Sequence, residues 1–550
     1  MMPDAGKFIV QFLENSGIDR VYCVPGESFL PVLDALVDSK IETLTTRHES
    51  AAGFMAVADG RLTGRPGVAM VSRGPGVTNA SIAVHTAQQD GLPMLLFVGQ
   101  VERRNLRRDG FQEIDYGKMF ADIAKLTVEV RDPDDLPQIL SRAFFTAVSG
   151  TPGPVVIALP EDLLALPVTT AEAVPSDMPL YTLPASGPSL SAVSQAARLL
   201  SRASRPLIIA GMEFAREGGR ELLMRFAEKF SVPVAVSFRR HDLFPNRHPL
   251  YAGDLGIANP PAQLDLFGSA DLVLALGTRL GDLTTHGYTF PLSPWPRQPL
   301  VHVYDDASLV GRHFNPVVGA ACKAPDFLAM LLREDCGPAD GARADWARSL
   351  HEQTCRQNAW TPSRQPDGVV FRNVVHELSS QLGPDTSIVP DAGISAALVY
   401  RFFPFSGAQR LYATMAGVMG FGIPGAIAVA MREPRRTVVC LVGDGGFMMT
   451  GNDLAIAVEK KLPVRVFLAN NRNLGTIHFH QEKLYPGRSR ASALPGPDFT
   501  RLVRAFGCTA LTLDSEEDIA KVVAEALAVS GPVVVDVRTS LRALTAPAGT

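Results

Sequence analysis

Two unbroken apolar runs near the carboxyl end, Val438 to Val442 and Val464 to Leu468, have the length and branched composition of strands buried on both faces. Between them Met448 to Lys461 has the length of a helix, and Gly443, Gly445 and Gly446 interrupt the apolar pattern where the first run ends. The unit predicted is strand, glycine turn, helix, strand. A right-handed crossover of this kind ends both strands on one edge of a parallel sheet, beside the amino end of the intervening helix. Asp444 and Asn471, 27 residues apart, come just after the two runs and can face one another there.

The same order of elements recurs in RPGVAMVSRGPGVTNASIAVHTAQQDGLPMLLFVGQ, which starts at Arg65. Gly76 precedes Pro93 by 17 residues and Gly446 precedes Pro463 by 17, so the two ends of the chain read as domains of one architecture. A further α/β unit opens at RPLIIAGMEF near Arg205 and continues through ADLVLALGTRL near Asp271 to VHVYDD near Val301. Phe8, Ile9, Phe12 and Leu13 mark one face of an opening helix. Stretches rich in Pro, Ser and Ala, from Pro167 to Pro188 and from Gly337 to Asp367, read as linkers. The expectation is an α/β chain of three doubly wound domains with mainly parallel sheets, at residues 1–166, 188–336 and 367–540.

Composition narrows the classes of function. The 550 residues exceed a single core, and the formal charge of −4 gives nucleic acid no electrostatic footing. Arg103, Arg104, Arg107 and Arg108 are interrupted by Glu102 and Asp109, the pattern of a solvated loop. Six cysteines are scattered without a C-x-x-C, and Cys23 and Cys440 fall inside strand-like runs, which fits a reduced, cytoplasmic setting. No apolar run approaches the ~18 residues of a membrane span, and MMPDAGKFIVQFLENSG lacks a secretory h-region and cleavage site. A soluble, unprocessed protein is expected.

Asp444 and Asn471 offer a metal one carboxylate and one amide oxygen, hard ligands too few for a closed cage but suited to magnesium shared with a diphosphate. The glycines allow close backbone approach, and the free amides of the following helix suit a phosphate. GDG alone is an ordinary glycine turn; the NN pair at this distance is more specific. Here the chain resembles the thiamine diphosphate-dependent enzymes, whose cofactor signature is GDG, some two dozen variable residues, then NN. The resemblance implies a thiamine diphosphate-binding fold in the first and third domains. It also implies Mg2+ held by Asp444, the Asn471 side chain and the Asn473 carbonyl, with Gly443, Gly445 and Gly446 lining the cofactor.

The front third supplies the other half. Glu49 follows a short strand and begins the helix SAAGFMAVADGRLTG, where it could simply complement the helix dipole, worth ~0.3–1 kcal/mol. The RHE tripeptide is similar to the place where this family carries its activating glutamate. There a carboxyl bonded to the cofactor's pyrimidine nitrogen lets the cofactor's own amino group remove the thiazolium proton. His48 reads as structural. Met419, in TMAGVMGFGIPGA, is similar to the apolar wedge that bends the cofactor, although such a methionine is more often plain core. Pro25, Gly26, Gly74, Pro75, Gly76 and Asn79 resemble the pyrimidine-side loops, Phe111 and Gln112 in GFQEID the substrate side, and Lys125 a lysine of the acetolactate synthase site. In this family the two halves meet across a subunit boundary, which implies a homodimer at minimum and a homotetramer as the fuller assembly.

Nearest is the acetolactate synthase catalytic subunit, through VPGESFLPVLDAL, RHE, RGPGVTN, GFQE, GPVVIALPEDL, MGFGIP and GDG-NN. That implies decarboxylation of a 2-oxo acid followed by ligation to a carbonyl acceptor. NLGTIHFHQEKLYPGR departs by offering His478 and His480 where the synthase has a tryptophan, and Glu27 replaces a small residue. Histidine exchanges protons near neutrality, so both departures lean towards a non-oxidative decarboxylase or lyase of the benzoylformate decarboxylase type. GTRLGDLTTHG keeps only Arg279 and Asp282 of the FAD pattern, and Ile394 and Ser395 replace synthase-like diphosphate residues. FAD and a pyruvate oxidase reading are therefore disfavoured. No dinucleotide fingerprint supports a dehydrogenase, and the presence of Glu49 opposes a catalytically silent binding protein.

Overall fold

The computed structural model describes residues 2–170, 186–216, 218–257, 259–337 and 341–544. Most of the first expected linker, residues 171–185, lies outside the described residues. Among the described residues eighteen strands form three sheets of six, every strand pairing parallel. The first comprises β1 (Arg20–Cys23), β2 (Glu42–Thr45), β3 (Gly67–Val71), β4 (Met94–Gln100), β5 (Leu126–Glu129) and β6 (Pro154–Pro160) in the order β2-β1-β3-β4-β6-β5. The second comprises β7 (Pro206–Ala210), β8 (Val234–Val236), β9 (Tyr251–Asp254), β10 (Leu272–Leu276), β11 (Leu300–Tyr304) and β12 (Val318–Ala321) in the order β12-β11-β10-β7-β8-β9. The third comprises β13 (Thr386–Pro390), β14 (Arg410–Leu411), β15 (Thr437–Gly443), β16 (Val464–Asn470), β17 (Thr509–Leu513) and β18 (Val533–Arg538) in the order β14-β13-β15-β16-β18-β17.

The first and third sheets thus share one strand order, as the repeated sequence pattern implied. Their inner strands are apolar almost throughout: β4, β6 and β16 are buried at every position, because helices cover both faces. The opening helix Ala5–Asn15 forms as expected, capped by Asp4 and burying Phe8, Ile9, Phe12 and Leu13.

Within the chain these two domains share a core. Helix Glu49–Thr63 packs between helices Pro75–Asp90 and Gly422–Arg432, with the rings of Phe54 and Phe421 edge to face at 5.9 Å. Charged pairs rim the junction: the Arg432 guanidinium bonds Asp19 and Asp59, and Lys460 Nζ meets Glu42 at 2.8 Å. The arginine cluster lies in a loop, with Arg103 bonded to Asp162 and Arg107 to Glu113, both at 2.9 Å. All six cysteines are free, and Cys23 and Cys440 are buried.

Two sequence expectations need correcting. The stretch from Gly337 to Asp367 is not simply a linker: it carries the helix Gly341–Gln357. Its apolar residues are sparse because it is seated partly by hydrogen bonds, Trp346 Nε1 to Pro206 O at 2.9 Å and buried Arg343 to the carbonyls of Ala203, Phe230 and Leu200. The single helix expected from Met448 to Lys461 is divided. It begins at Asp444, gives way to a 3-10 turn at Gly451–Asp453, and resumes at Leu454–Glu459. The break coincides with Thr450, whose Oγ1 donates to Gly420 O at 2.8 Å and whose φ of −139° leaves the helical region.

Candidate active site

In the third sheet Gly443 pairs with Ala469, so β15 and β16 end side by side. That register brings Asp444 and the Asn471–Asn473 turn together on the carboxyl edge. Asp444 is 3% exposed; its Oδ1 accepts the Gly445 amide at 2.8 Å, and its Oδ2 is buried without a partner. Burial raises its pKa from 3.8 to about 6, against the downward pull of the amides of Gly445, Arg472, Asn473 and Asn471. Asn471 Oδ1 accepts the Asn473 amide at 3.0 Å, and Asn473 Nδ2 donates to Asn471 O at 3.2 Å.

The space around this turn is shaped by glycine. A Cβ at Gly443 would meet nothing within 4 Å, whereas one at Gly445 would lie 3.1 Å from Met419 Cε and one at Gly446 2.6 Å from Asp391 Oδ1. The open side of the helix start is therefore Gly443, and Met419 leans over Gly445. Among the described residues no group of three or more His, Cys, Asp or Glu side chains could cage a metal. An orphaned buried carboxylate oxygen beside an amide side chain fits a cation that completes its shell with ligands from outside the protein.

In the first sheet β1, β2 and β3 end together, Cys23 pairing with Thr45 and with Met70. Pro25-Gly26 leaves β1, Glu49 starts the helix after β2, and Gly74-Pro75-Gly76 starts the helix after β3. Glu49 is half-buried; its Oε2 accepts Asn79 Nδ2 at 2.9 Å, and a Cβ on Gly76 would lie 3.5 Å from Oε1. His48 caps the helix, Nδ1 accepting the Ser50 amide at 3.2 Å. Gly26 lies tight on Ser72, and Gly74, at φ +56°, would place a Cβ 2.7 Å from Gln112 O. Gln112 thus joins the glycine loop, with Phe111 projecting at 75% exposure.

Lys125 does not join this edge, and Glu27 and the histidine helix stand toward solvent. Lys125 sits at the amino end of β5, on the opposite edge of the first sheet, donating to Ser149 O at 2.6 Å and Thr151 O at 2.8 Å. Glu27 is largely exposed, 3.9 Å from Arg73. His478 and His480 both lie on helix Gly475–Leu484, none of whose residues is buried. Two residues apart, they point about 200° from one another around the helix. Ile394 N donates to Thr476 Oγ1 at 3.2 Å.

Three contributors escaped the sequence reading. Asp391, fully buried after β13, accepts the amides of Ala392, Gly420 and Gly422. Asp453 Oδ1 accepts the Arg47 amide at 3.0 Å, linking the third domain to the turn that carries Glu49. Tyr116 takes the Gly74 amide at 3.4 Å and donates to Gly99 O at 3.3 Å. All three act on backbone atoms, which leave no residue-type signature. The chain matches family models along its length: the thiamine pyrophosphate enzyme N-terminal TPP binding domain at residues 3–119, the central domain at 193–331 and the C-terminal TPP binding domain at 391–537.

The chain belongs to the thiamine pyrophosphate enzymes. This thiamine pyrophosphate enzyme is 32% identical to an acetolactate synthase of Mycobacterium bovis, over 96% of the chain and 87% of that protein. It is also 32% identical to the acetolactate synthase isozyme 1 large subunit of Escherichia coli, over 97% of the chain and 93% of that protein. The acetolactate synthase large subunit of Corynebacterium glutamicum is 30% identical, over 96% and 86%. The similarity to acetolactate synthase large subunits therefore runs through all three domains rather than resting on GDG-NN.

The central domain is built differently at its carboxyl edge. Between β7 and β10, where the strand order reverses, a Cβ on Gly211 would fall 2.0 Å from Gly277 O, so the two strand ends touch. Glu213 fills the same edge, accepting the amides of Asp305 at 2.9 Å and Ala324 at 2.7 Å, and burial pushes its carboxyl up to about 7. Arg279 donates to Gln89 O of the first domain, and Asp306 accepts the Thr151 amide at 2.9 Å. Among the described residues no helix is long and apolar enough to cross a membrane.

Proposed function

We propose that this thiamine pyrophosphate enzyme uses Mg2+ and acts on 2-oxo acids, decarboxylating one and ligating the product to a carbonyl acceptor, as the names of its acetolactate synthase relatives suggest. The observation that carries the reading is the buried, unpartnered Asp444 Oδ2 beside Asn471, on the same edge as an open glycine turn. When bound, thiamine diphosphate supplies the nucleophilic carbon that a 2-oxo acid needs in order to lose carbon dioxide. The protein's part is to hold that group and control its protons.

Asp444, the Asn471 side chain and the Asn473 carbonyl would hold Mg2+, which would supply positive charge to offset the diphosphate. Gly443, Gly445 and Gly446 would admit the diphosphate close to the backbone at the helix start. Met419, leaning over Gly445, would give the cofactor an apolar contact. Glu49 holds the proton at the pyrimidine nitrogen, and Asn79, donating to Glu49 Oε2, keeps the other carboxyl oxygen directed there. Pro25, Gly26, Gly74 and Gln112 form the pyrimidine and substrate side. Met448 and Met449, each about half exposed on the Asp444 helix, and Ile82 on the Asn79 helix are apolar surfaces that a second copy would cover. That supports a homodimer at minimum, with the homotetramer as its extension, in the reduced cytoplasm that free cysteines suit.

FAD is doubtful at the central edge, where Glu213 accepts the amides of Asp305 and Ala324. The purified enzyme should be colourless, and a bound flavin band near the visible blue would contradict this. A second reading, a non-oxidative 2-oxo acid decarboxylase or lyase, is favoured by His478 and His480 on an exposed helix that leads from the Asn471 turn. A panel of 2-oxo acids with Mg2+ and thiamine diphosphate separates the two. Acetolactate from pyruvate supports ligation, free aldehyde supports the decarboxylase, and no carbon dioxide from any member of the panel contradicts both.

A further inference from the structure

We propose that Asp391 is a positioning residue that, with Thr450, clamps the turn after Met419 and so sets Met419 above the helix start that receives the diphosphate. The proposal rests on the reading of Met419 as the wedge for the cofactor. Asp391 leaves β13 and is 4% exposed. Its Oδ2 accepts the amides of Gly420 at 2.9 Å and Gly422 at 2.7 Å, and its Oδ1 accepts Ala392 N at 2.7 Å. Charge-assisted bonds of this kind are about twice as strong as neutral ones.

The peptide after Met419 is therefore gripped from two directions. Gly420 N–H goes to Asp391, and Gly420 C=O accepts Thr450 Oγ1 at 2.8 Å from the far end of the Asp444 helix. Gly420 has φ +87° and Gly417 φ +63°, conformations that only external bonds would hold in place against the freedom of glycine. The same carboxylate abuts the diphosphate side, because a Cβ at Gly446 would sit 2.6 Å from Asp391 Oδ1. One buried acid thus touches both the wedge's turn and the cradle. Met419 Cε is left 3.1 Å from the Cβ direction of Gly445, in contact with the helix that carries Asp444.

The test uses the full chain with Asp391→Asn, and Thr450→Val as the second variant, which removes the other half of the grip without burying a new donor. First, hydrogen exchange on the cofactor-free protein reads the peptide around Gly420 and Gly422. Losing bonds to a charged acceptor should speed exchange there by at least about tenfold while the β15 and β16 amides stay protected. Second, with Mg2+ and thiamine diphosphate, the exchange rate of the cofactor's C2 proton should fall by about tenfold or more, while affinity for Mg2+ with inorganic diphosphate changes less than about threefold. A purely structural role would lower both together. Unchanged amide exchange in the folded variants overturns the clamp, and fast amide exchange with a wild-type C2 rate overturns its link to Met419. A wild-type protein that binds no thiamine diphosphate overturns the functional reading, and the amide measurement then still decides the clamp.

Discussion

The first and third domains share one strand order, yet the acids at their carboxyl edges live in opposite surroundings. Glu49 is half-buried with one side-chain donor, Asn79, and opens toward an exposed face. Asp444 is shut in, its pKa raised to about 6 by burial, with one oxygen that nothing in the protein satisfies. The shared scaffold fixes where a side chain can stand, and burial at that point decides what it can do. A proton-handling carboxyl needs access and a partner; a metal-holding carboxylate is costly until a cation arrives.

The sharpest way to break this contrast is to neutralise each acid with its own amide. Glu49→Gln should lower kcat by about 10²–10⁴-fold, the range for losing a positioned proton-transfer group, with cofactor affinity nearly unchanged. Steady-state kinetics beside a binding titration checks it, and undiminished turnover removes Glu49 from the mechanism. Asp444→Asn should instead weaken Mg2+ binding by at least about 10–100-fold, a span that even outer-shell changes reach at metal sites. A magnesium titration of cofactor-dependent stabilisation is the readout.

The same contrast has a pH signature. Below the ordinary carboxylate value of 3.8, Asp444 is protonated folded and unfolded alike and makes no difference to stability. Between 3.8 and about 6 the unfolded chain ionises this carboxyl while the buried pocket still holds it protonated, so the cofactor-free protein loses on the order of 3 kcal/mol across that window, from ~1.4 kcal/mol per unit. Mg2+ should reverse that loss, so stabilisation by Mg2+ with diphosphate should grow from pH 5 to about 7 in the wild type and stay flat in Asp444→Asn. Thermal melts across pH decide it.

A smaller effect concerns the bridge between the domains. Asp453 is also raised to about 6 by burial, with Oδ2 unpartnered while Oδ1 accepts the Arg47 amide. Asp453→Asn can keep that bond without the buried charge and should leave stability at pH 7 equal or higher; Asp453→Ala strands the amide and should cost about 1–3 kcal/mol. The smallest expected change is in product ratio: His478→Ala and His480→Ala should alter the split between ligated product and aldehyde unequally, since the two rings point apart.

Much of this was legible in the residues. Val438 to Val442 and Val464 to Leu468 read as buried strands because nothing polar interrupts them, and Asp444 and Asn471 follow from where such strands end. The shared strand order of the first and third sheets was visible as a repeated interval. What stayed hidden was carried by backbone: Asp391 and Tyr116 bond main-chain atoms of glycines, and no pattern of side chains announces that. Helix Gly341–Gln357 was missed because buried Arg343 helps seat it, and a charged residue reads as surface. Lys125 resembled a site lysine by its neighbours in sequence, but β5 starts on the edge away from Glu49.

The most direct test is a binding titration of magnesium-free protein with thiamine diphosphate, with and without Mg2+, for the wild type, Asp444→Asn and Glu49→Gln. Saturable binding that requires Mg2+, fails in Asp444→Asn and survives in Glu49→Gln is the predicted result. Binding that needs no Mg2+, or that Asp444→Asn leaves intact, would contradict the division of labour between the two carboxylates.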